Sequence, residues 1–432
     1  MNTARRDGLY CLLFGILAFL TLGAAFGANS PGAMQDFKVL YYPARCLLQH
    51  GDPYNAEDVA RVYLKEDAAP KTPKSVQIIT KYIYLPTSFL FSIPFALLPW
   101  GTAHLLWLAL TACSLIAASL LIWTIGAEHA PILSGILLGI LLAGGEVILI
   151  LCNAAGIAVA FCAIGTWCFI REKVIPLGIL CFAMSLALKP HDSGLIWLYF
   201  LLAGGVYRKR ALQTLITLIC LSAPTVLWMW RASPNWRMEL QHNLLSFSVR
   251  GGLADPTPAM LGSRGGGVMI NLQTAVSLLG GNPHFYDSVT YLVCGVLFVF
   301  LAILIVRRGR TEPWPAIAAL SALSMLPLYH HLFDAKLLVL MVPACAIVWA
   351  KRAPLRSMIL TVSTFAILAT TDLAWAIFLA LTHGLHPAMT SASGQIFLAA
   401  QILPAPLSLL AAALSYTYIC LYSSRSARGV SA

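Results

Sequence analysis

The sequence predicts an all-α polytopic membrane protein, and two observations support that prediction. Of the 432 residues, 59% are hydrophobic and only 10% are charged, whereas a soluble domain carries roughly 25% charged residues. Apolar runs also recur along the whole chain, and many approach the roughly 20 residues that a helix needs to cross a bilayer. A chain of this composition places most of its mass inside the membrane.

About thirteen apolar segments predict one domain, residues 1–432, of about 11 to 13 transmembrane helices. Several segments are short and bounded by proline, which is typical of helices that break or enter the membrane part way. The first segment resembles a signal peptide, but we expect a retained helix because a polytopic chain follows. The segments are 9–26, 86–99, 104–125, 132–151, 154–170, 174–188, 193–204, 212–230, 289–306, 315–328, 337–350, 358–381 and 395–421.

The basic residues indicate how the chain is oriented. Its net charge is +11, but the Lys and Arg clusters occupy short links between apolar segments, which is positive-inside patterning and not a nucleic-acid-binding groove. We therefore expect these links in the cytoplasm and no nucleic-acid partner. The links are 171–173, 208–210, 307–310 and 351–356.

This orientation puts two long hydrophilic loops, about 29–85 and 231–288, on the outer face, with the turns 189–192 and 330–334. Helical spacing of apolar residues in the first loop predicts a surface helix that ends at Gly51, Asp52 and Pro53. Three apolar segments separate this loop from Asn153. Asn153 is expected on the same face as the loop, opposite the basic link 171–173, which requires an even number of crossings. One of the three segments should therefore not cross. The spaced residues are Phe37, Leu40, Tyr41, Ala44 and Leu48.

Asp36 is a candidate for chemistry because it begins the predicted surface helix at the outer membrane boundary. A carboxylate there is also a common N-terminal helix cap. The residues alone leave both interpretations open.

Two polar turns interrupt apolar sequence. Lys189 begins the turn 189–192, and an intramembrane lysine is a functional candidate unless its side chain snorkels to the interface. The second turn holds His330, His331, Asp334 and Lys336. This turn is either a functional site or a polar turn at the membrane interface. If this turn is helical, His330 and Asp334 lie one turn apart, so the carboxylate would orient the imidazole.

Absent motifs narrow the chemistry. The chain has no Asp-x-Asp pair to hold a metal on a nucleotide diphosphate. It also lacks a His-x-x-x-His zinc pair, a Gly-x-Ser-x-Gly elbow and a Cys-x-x-Cys pair. Glycines 265–267 have neither a preceding strand nor a Walker lysine and predict a plain loop. Metal-diphosphate, hydrolase and redox mechanisms are therefore disfavoured.

Several stretches together resemble the DUF2029 family, which is glycosyltransferase family 87 of the GT-C superfamily. The chain departs from the family's usual pattern at 151–154, which often reads Gly-Gln-x-Asn, and after Pro86, where a second proline is common. The resemblance covers most of the chain. Its residues are Asp36, Phe37, Tyr41, Ala44, Leu48 and Gly51-Asp52-Pro53-Tyr54, then Tyr82-Ile83-Tyr84-Leu85-Pro86, Pro94, Leu98, Pro99, Ala187-Leu188-Lys189-Pro190 and 326–331.

The resemblance implies a GT-C-like bundle that moves mannose or another hexose, with inversion, from a polyprenyl-phosphate donor to a glycan or glycolipid acceptor. The reaction would occur at the outer face of a bacterial inner membrane, with Asp36 as general base and without a metal or other cofactor. Outer-face cations would stabilise the leaving phosphate, with Lys189 and His331 ranked first. The other donor-phosphate candidates are His191, His330, Arg250 and Arg264, and the orienting or acceptor-binding candidates are Asp334, Tyr41, Asp52 and Asn153.

Two other classes of function share these features. A transporter or lipid flippase would also have many helices, broken segments and intramembrane charges, although no inverted internal repeat is evident. In a non-catalytic membrane subunit, position 36 would not need to be an aspartate.

Overall fold

The computed structural model describes residues 2–28, 30, 33–66, 73–259, 269–308, 312–352, 355–381 and 391–426. Within these ranges the chain is helical, with no strand and a single isolated bridge between Met269 and His331. The 3₁₀ segments are Pro86–Ser88 and Leu332–Met341. The α-helices are α1 (Thr3–Gly27), α2 (Gln35–Leu48), α3 (Ala56–Glu66), α4 (Pro73–Ile79), α5 (Phe89–Ala96), α6 (Trp100–Gly126), α7 (Pro131–Ala143), α8 (Glu146–Leu151), α9 (Ala154–Arg171), α10 (Ile175–Leu188), α11 (Pro190–Ala203), α12 (Gly205–Ala232), α13 (Trp236–Ser248), α14 (Leu272–Ser277), α15 (Pro283–Arg308), α16 (Pro313–Ser324), α17 (Val342–Ala350), α18 (Arg356–Ala369), α19 (Asp372–Leu381), α20 (Ala392–Ile402) and α21 (Pro404–Ser426).

Seven helical stretches in the described residues are long and apolar enough to cross a membrane, and three shorter apolar helices accompany them. This confirms the prediction of an all-α polytopic membrane protein. A larger number of crossings stays a prediction. The seven stretches are Thr3–Gly27, Trp100–Gly126, Ala154–Arg171, Gly205–Ala232, Pro283–Arg307, Leu332–Ala350 and Pro404–Tyr422, and the shorter helices are Pro131–Ala143, Ile175–Leu188 and Arg356–Ala369.

The apolar segment 86–99 is the one that does not cross. It forms only the 3₁₀ turn Pro86–Ser88 and the eight-residue helix α5, and eight helical residues rise only about 12 Å. A hydrocarbon core of about 30 Å is far thicker. Between the first loop and Asn153 this leaves α6, which is long enough to cross, and the broken pair α7 and α8. Asn153 lies beside the first loop, because its side chain bonds Asp36.

Helices α9, α10 and α11 run back and forth, so their junctions alternate between two ends. The 18 residues of α9 span about 27 Å from Asn153 to the basic link 171–173. At that end Arg171 pairs with Glu128, and Arg210 pairs with Glu172 at 3.0 Å. Lys189, between α10 and α11, lies at the opposite end with Asn153. The Lys189 turn and the basic links 171–173 and 208–210 thus occupy opposite ends of these helices.

Helices α1 and α7 pack backbone to backbone through glycines. A Cβ built on Gly15 would collide with the Cα of Gly139, and one built on Gly135 would collide with the carbonyl oxygen of Gly8. Small residues permit such close approach between helices in a membrane. The contact fixes α1, and with it the start of the first loop, against the broken pair α7 and α8.

The first loop folds into an outer aromatic cluster made by α2, α5 and the start of α6. The Phe37 ring stacks on Trp107 with centroids 4.5 Å apart and on Trp100 at 5.6 Å. Nine of the 14 residues of α2 are buried. The predicted helix is therefore confirmed, but it is enclosed by aromatic side chains and does not simply lie on a membrane surface. This packing fixes Asp36, the residue before Phe37.

Candidate functional site

Asp36 is held from a distant part of the chain. Helix α2 begins after Met34, which has a left-handed backbone (φ 61°), so Asp36 lies in the first turn and is not the N-cap. The Asn153 Nδ2 donates a hydrogen bond of 2.6 Å to the Asp36 Oδ2. The Asn153 Oδ1 accepts from the Ala155 backbone N–H at 2.8 Å and caps α9. One asparagine thus joins the first loop to a membrane helix.

The surroundings of Asp36 suit proton transfer. The side chain is half-buried, and desolvation raises its pKa to about 6, although the Asn153 hydrogen bond and the charge of Lys189 act in the opposite direction. A carboxylate with this pKa is ionised at neutral pH, yet it is more basic than an ordinary aspartate. It has the acid–base properties of a general base.

Lys189 is paired, which excludes a snorkelling side chain. It lies between α10 and α11, and its side chain is buried. The Nζ lies 2.5 Å from the Asp334 Oδ1 and 3.6 Å from the Asp192 Oδ2. Lys189 was predicted to bind a donor phosphate, but in the structure two carboxylates share its positive charge.

The expected pairing of His330 with Asp334 is wrong. The backbone at His331 is extended (φ −104°, ψ 173°), so the 3₁₀ segment begins only at Leu332 and the two side chains are not one helical turn apart. The Asp334 Oδ2 instead accepts from the His331 backbone N–H at 2.8 Å. The imidazole of His330 faces Asp192.

Asp192 is the functional candidate that the sequence interpretation did not select. Its Oδ1 lies 3.2 Å from the His330 Nε2 and 3.5 Å from the His191 Nε2. Asp192 and His330 are almost fully buried, at 1% and 0% exposed. Within the described part of the chain, neither Asp192 oxygen nor the His330 Nε2 has a hydrogen-bond partner. In the sequence, the feature that could have indicated a role for Asp192 is its position three residues after Lys189.

Two tyrosines also belong to this neighbourhood. Burial, followed by the charges of Asp36, Asp334 and Asp192, raises the pKa of Tyr84 well above its ordinary value. The Tyr329 hydroxyl lies 2.5 Å from the His331 Nε2.

We call the set Asp36, Asn153, Lys189, His191, Asp192, His330 and Asp334 the outer polar site.

Four predicted residues lie elsewhere or outside the described ranges. The Tyr41 hydroxyl donates to the Leu98 carbonyl at 2.8 Å within the outer aromatic cluster. The Asp52 Oδ1 accepts from the Tyr54 backbone N–H at 2.9 Å in the turn after α2. Arg250 is exposed beyond α13. Arg264, with glycines 265–267, lies outside the described residues.

A second charged group, the Lys336 cluster, lies at the break between α7 and α8 and consists of Lys336, Glu146 and Asp372. All three are buried, and both acids act electrostatically on Lys336. The Lys336 Nζ donates to the Gly144 carbonyl at 2.7 Å, and the Asp372 backbone N–H donates to the same oxygen at 3.1 Å. A Cβ on Gly145 would lie 2.6 Å from the Lys336 Cε. The cluster satisfies the backbone at the helix break.

No protein-family model, curated protein or solved structure matches this chain. The relation to glycosyltransferase family 87 therefore stays a prediction.

Proposed function

We propose that this chain is an inverting glycosyltransferase that moves a hexose from a polyprenyl-phosphate donor to a glycan or glycolipid acceptor. The main support is the geometry of Asp36, a half-buried carboxylate held by Asn153 at 2.6 Å with a pKa near 6. The charge of the buried Lys189 acts on Asp36, and Lys189 pairs with Asp192, which two histidines contact. A general base next to phosphate-binding groups is what such a transfer requires.

The proposed reaction is a single displacement. The acceptor hydroxyl oxygen attacks the anomeric carbon and forms the new glycosidic bond, while the bond from that carbon to the donor phosphate oxygen breaks. The electron pair of the broken bond leaves on the phosphate, and the hydroxyl proton passes to the Asp36 carboxylate. Attack opposite the leaving group inverts the anomeric configuration. Asn153 occupies one carboxylate oxygen and leaves the Asp36 Oδ1 for the acceptor.

The donor is proposed to be a lipid because the site lies at the end of membrane-spanning helices. An isoprenoid tail lies between helices, and its phosphate reaches the outer polar site. Lys189 contributes positive charge there, while His191 and His330 lie against Asp192, which also pairs with Lys189. His331, Arg250 and Arg264 remain predicted contributors. We place the site at the outer face of a bacterial inner membrane, opposite the basic links.

A transporter is the second candidate, and the Lys336 cluster is the observation that favours it. Buried ionisable groups in membrane helices frequently mark ion or proton pathways. The two functions differ in one requirement, because transport needs a sealed compartment whereas transfer does not.

The test uses purified protein in detergent and a panel of labelled polyprenyl-phosphate hexoses, with glycan and glycolipid acceptors. We expect one donor to yield a glycoside whose anomeric configuration, measured by NMR, is inverted. Retention of configuration would contradict the single displacement. Failure of every donor in detergent, together with solute or lipid movement in sealed liposomes, would favour the transporter.

A further inference from the structure

His330 presents an unpaired nitrogen to a carboxylate. Its Nδ1 lies 3.1 Å from the Leu328 carbonyl oxygen, which can only accept, so the Nδ1 carries the proton. In the neutral ring the Nε2 then has a lone pair. That nitrogen lies 3.2 Å from the Asp192 Oδ1, at a place where both side chains are almost fully buried. Two facing acceptors are unfavourable there unless a cation lies between them.

His191 completes a set of three ligand atoms around the same point. Its Nε2 lies 3.5 Å from the Asp192 Oδ1, and the three atoms lie within 4.8 Å of one another. Two ligands at roughly 2.1 Å from a tetrahedral zinc ion are about 3.4 Å apart. The two measured nitrogen–oxygen distances bracket that value. The bond from the His330 Nδ1 to a backbone carbonyl is also the outer contact that orients metal-binding histidines.

The charge of the outer polar site gives an independent reason for a bound cation. Asp36, Asp192 and Asp334 oppose only Lys189, so the formal charge is −2 when the imidazoles are neutral. A lipid phosphate would be repelled by this charge. One divalent ion would bring the sum to zero.

We propose that His191, Asp192 and His330 bind one Zn²⁺ ion, which receives an oxygen of an anionic ligand. Two imidazoles and one carboxylate, with a position left open, form a zinc site of the kind used in catalysis. If the proposed transfer holds, the anionic ligand is the donor phosphate, while Lys189 stays paired with Asp334. The proposal replaces the expectation of a metal-free site. Metal binding itself does not depend on the transfer reaction.

The test is the zinc content of the purified full chain, measured by mass spectrometry after equilibration with Zn²⁺ and removal of free ion, with no sugar donor present. We expect one zinc per chain, and about 10-fold or greater loss of affinity in Asp192→Asn and in His330→Gln. The matched control is His104→Ala, because the His104 Nδ1 also lies 2.8 Å from a backbone carbonyl, that of Trp100. This control should retain full zinc binding.

Folding is checked by size-exclusion chromatography and by thermal melting without metal. Added Zn²⁺ should raise the Tm of the wild type and of His104→Ala, but not of Asp192→Asn. Asp36→Asn should keep its zinc while losing transfer, which separates failure of this site from failure of the proposed function. A zinc-free wild type, or zinc content unchanged in Asp192→Asn, would overturn the proposal and leave a protonated His330 paired with Asp192.

Discussion

The outer polar site and the Lys336 cluster use similar residues in opposite ways. Each sets one lysine among carboxylates at a break between helices. In the Lys336 cluster the lysine donates to the Gly144 carbonyl, and no member is more than 6% exposed. In the outer polar site Asp36 is half-buried, and the His191 side chain is 32% exposed. One group is fully buried, whereas the other has two partly exposed members.

This difference shows that a buried charge in a membrane protein is not evidence of chemistry by itself. The Lys336 cluster fulfils a structural need, because the broken helix pair leaves a carbonyl that hydrocarbon cannot satisfy. Acceptor atoms without a hydrogen-bond partner occur in both groups, on Glu146 and Asp372 as well as on His330 and Asp192. Of the two groups, only the outer polar site has half-buried members, Asp36 and His191. Partial exposure, and not burial or unpartnered acceptors alone, identifies the functional candidate.

Lys336→Met tests whether the Lys336 cluster is structural, and it has the largest expected effect. It leaves Glu146 and Asp372 buried without their cation, which should lower the free energy of unfolding by about 3–5 kcal/mol. Equilibrium unfolding in mixed micelles measures this loss. Adding Glu146→Gln and Asp372→Asn should restore much of the stability, and no recovery would show that the lysine acts in another way.

Neutralising the outer polar site should have the opposite outcome. A variant without its lysine and two of its acids should fold, because no buried charge is left unpaired, but its transfer rate should fall about 10²- to 10³-fold. Transfer with a saturating acceptor is the measurement. Near-normal transfer would make this group structural as well. The substitutions are Lys189→Met, Asp192→Asn and Asp334→Asn.

The pH dependence of transfer reports on Asp36. Because its pKa is raised to about 6, the rate should be constant above about pH 7 and fall tenfold per unit well below pH 6, as the base becomes protonated. A profile of kcat/KM against pH measures this, because it reports the pKa values of the free enzyme. A midpoint near 4 would indicate a fully hydrated carboxylate.

Asn153→Ala should produce a smaller change in the same profile. The Asn153 hydrogen bond lowers the Asp36 pKa, so its loss should move the midpoint above about 6 and reduce kcat about 10-fold, with KM little changed. An unchanged midpoint would mean that Asn153 acts only as the cap of α9.

The sequence predicts the features that depend on local patterns. Apolar runs predict the helices, basic links predict which ends lie together, and Asp36 and Lys189 are placed at the expected end. The sequence does not predict the bond between Asp36 and Asn153, because it joins residues 117 positions apart. The pairing of His330 with Asp192 depends on an extended backbone at His331, which no helical spacing indicates. The enclosure of α2 arises from tertiary aromatic packing.

Transfer by Asp36→Asn shows whether the Asp36 carboxylate takes the proton of the acceptor hydroxyl. The variant should bind the donor and stay folded, yet transfer hexose about 10²- to 10⁴-fold more slowly than the wild type. The control is Glu57→Gln, which neutralises an exposed acid in the same outer loop and should transfer normally. Transfer by Asp36→Asn at the rate of Glu57→Gln would show that Asp36 is not the general base.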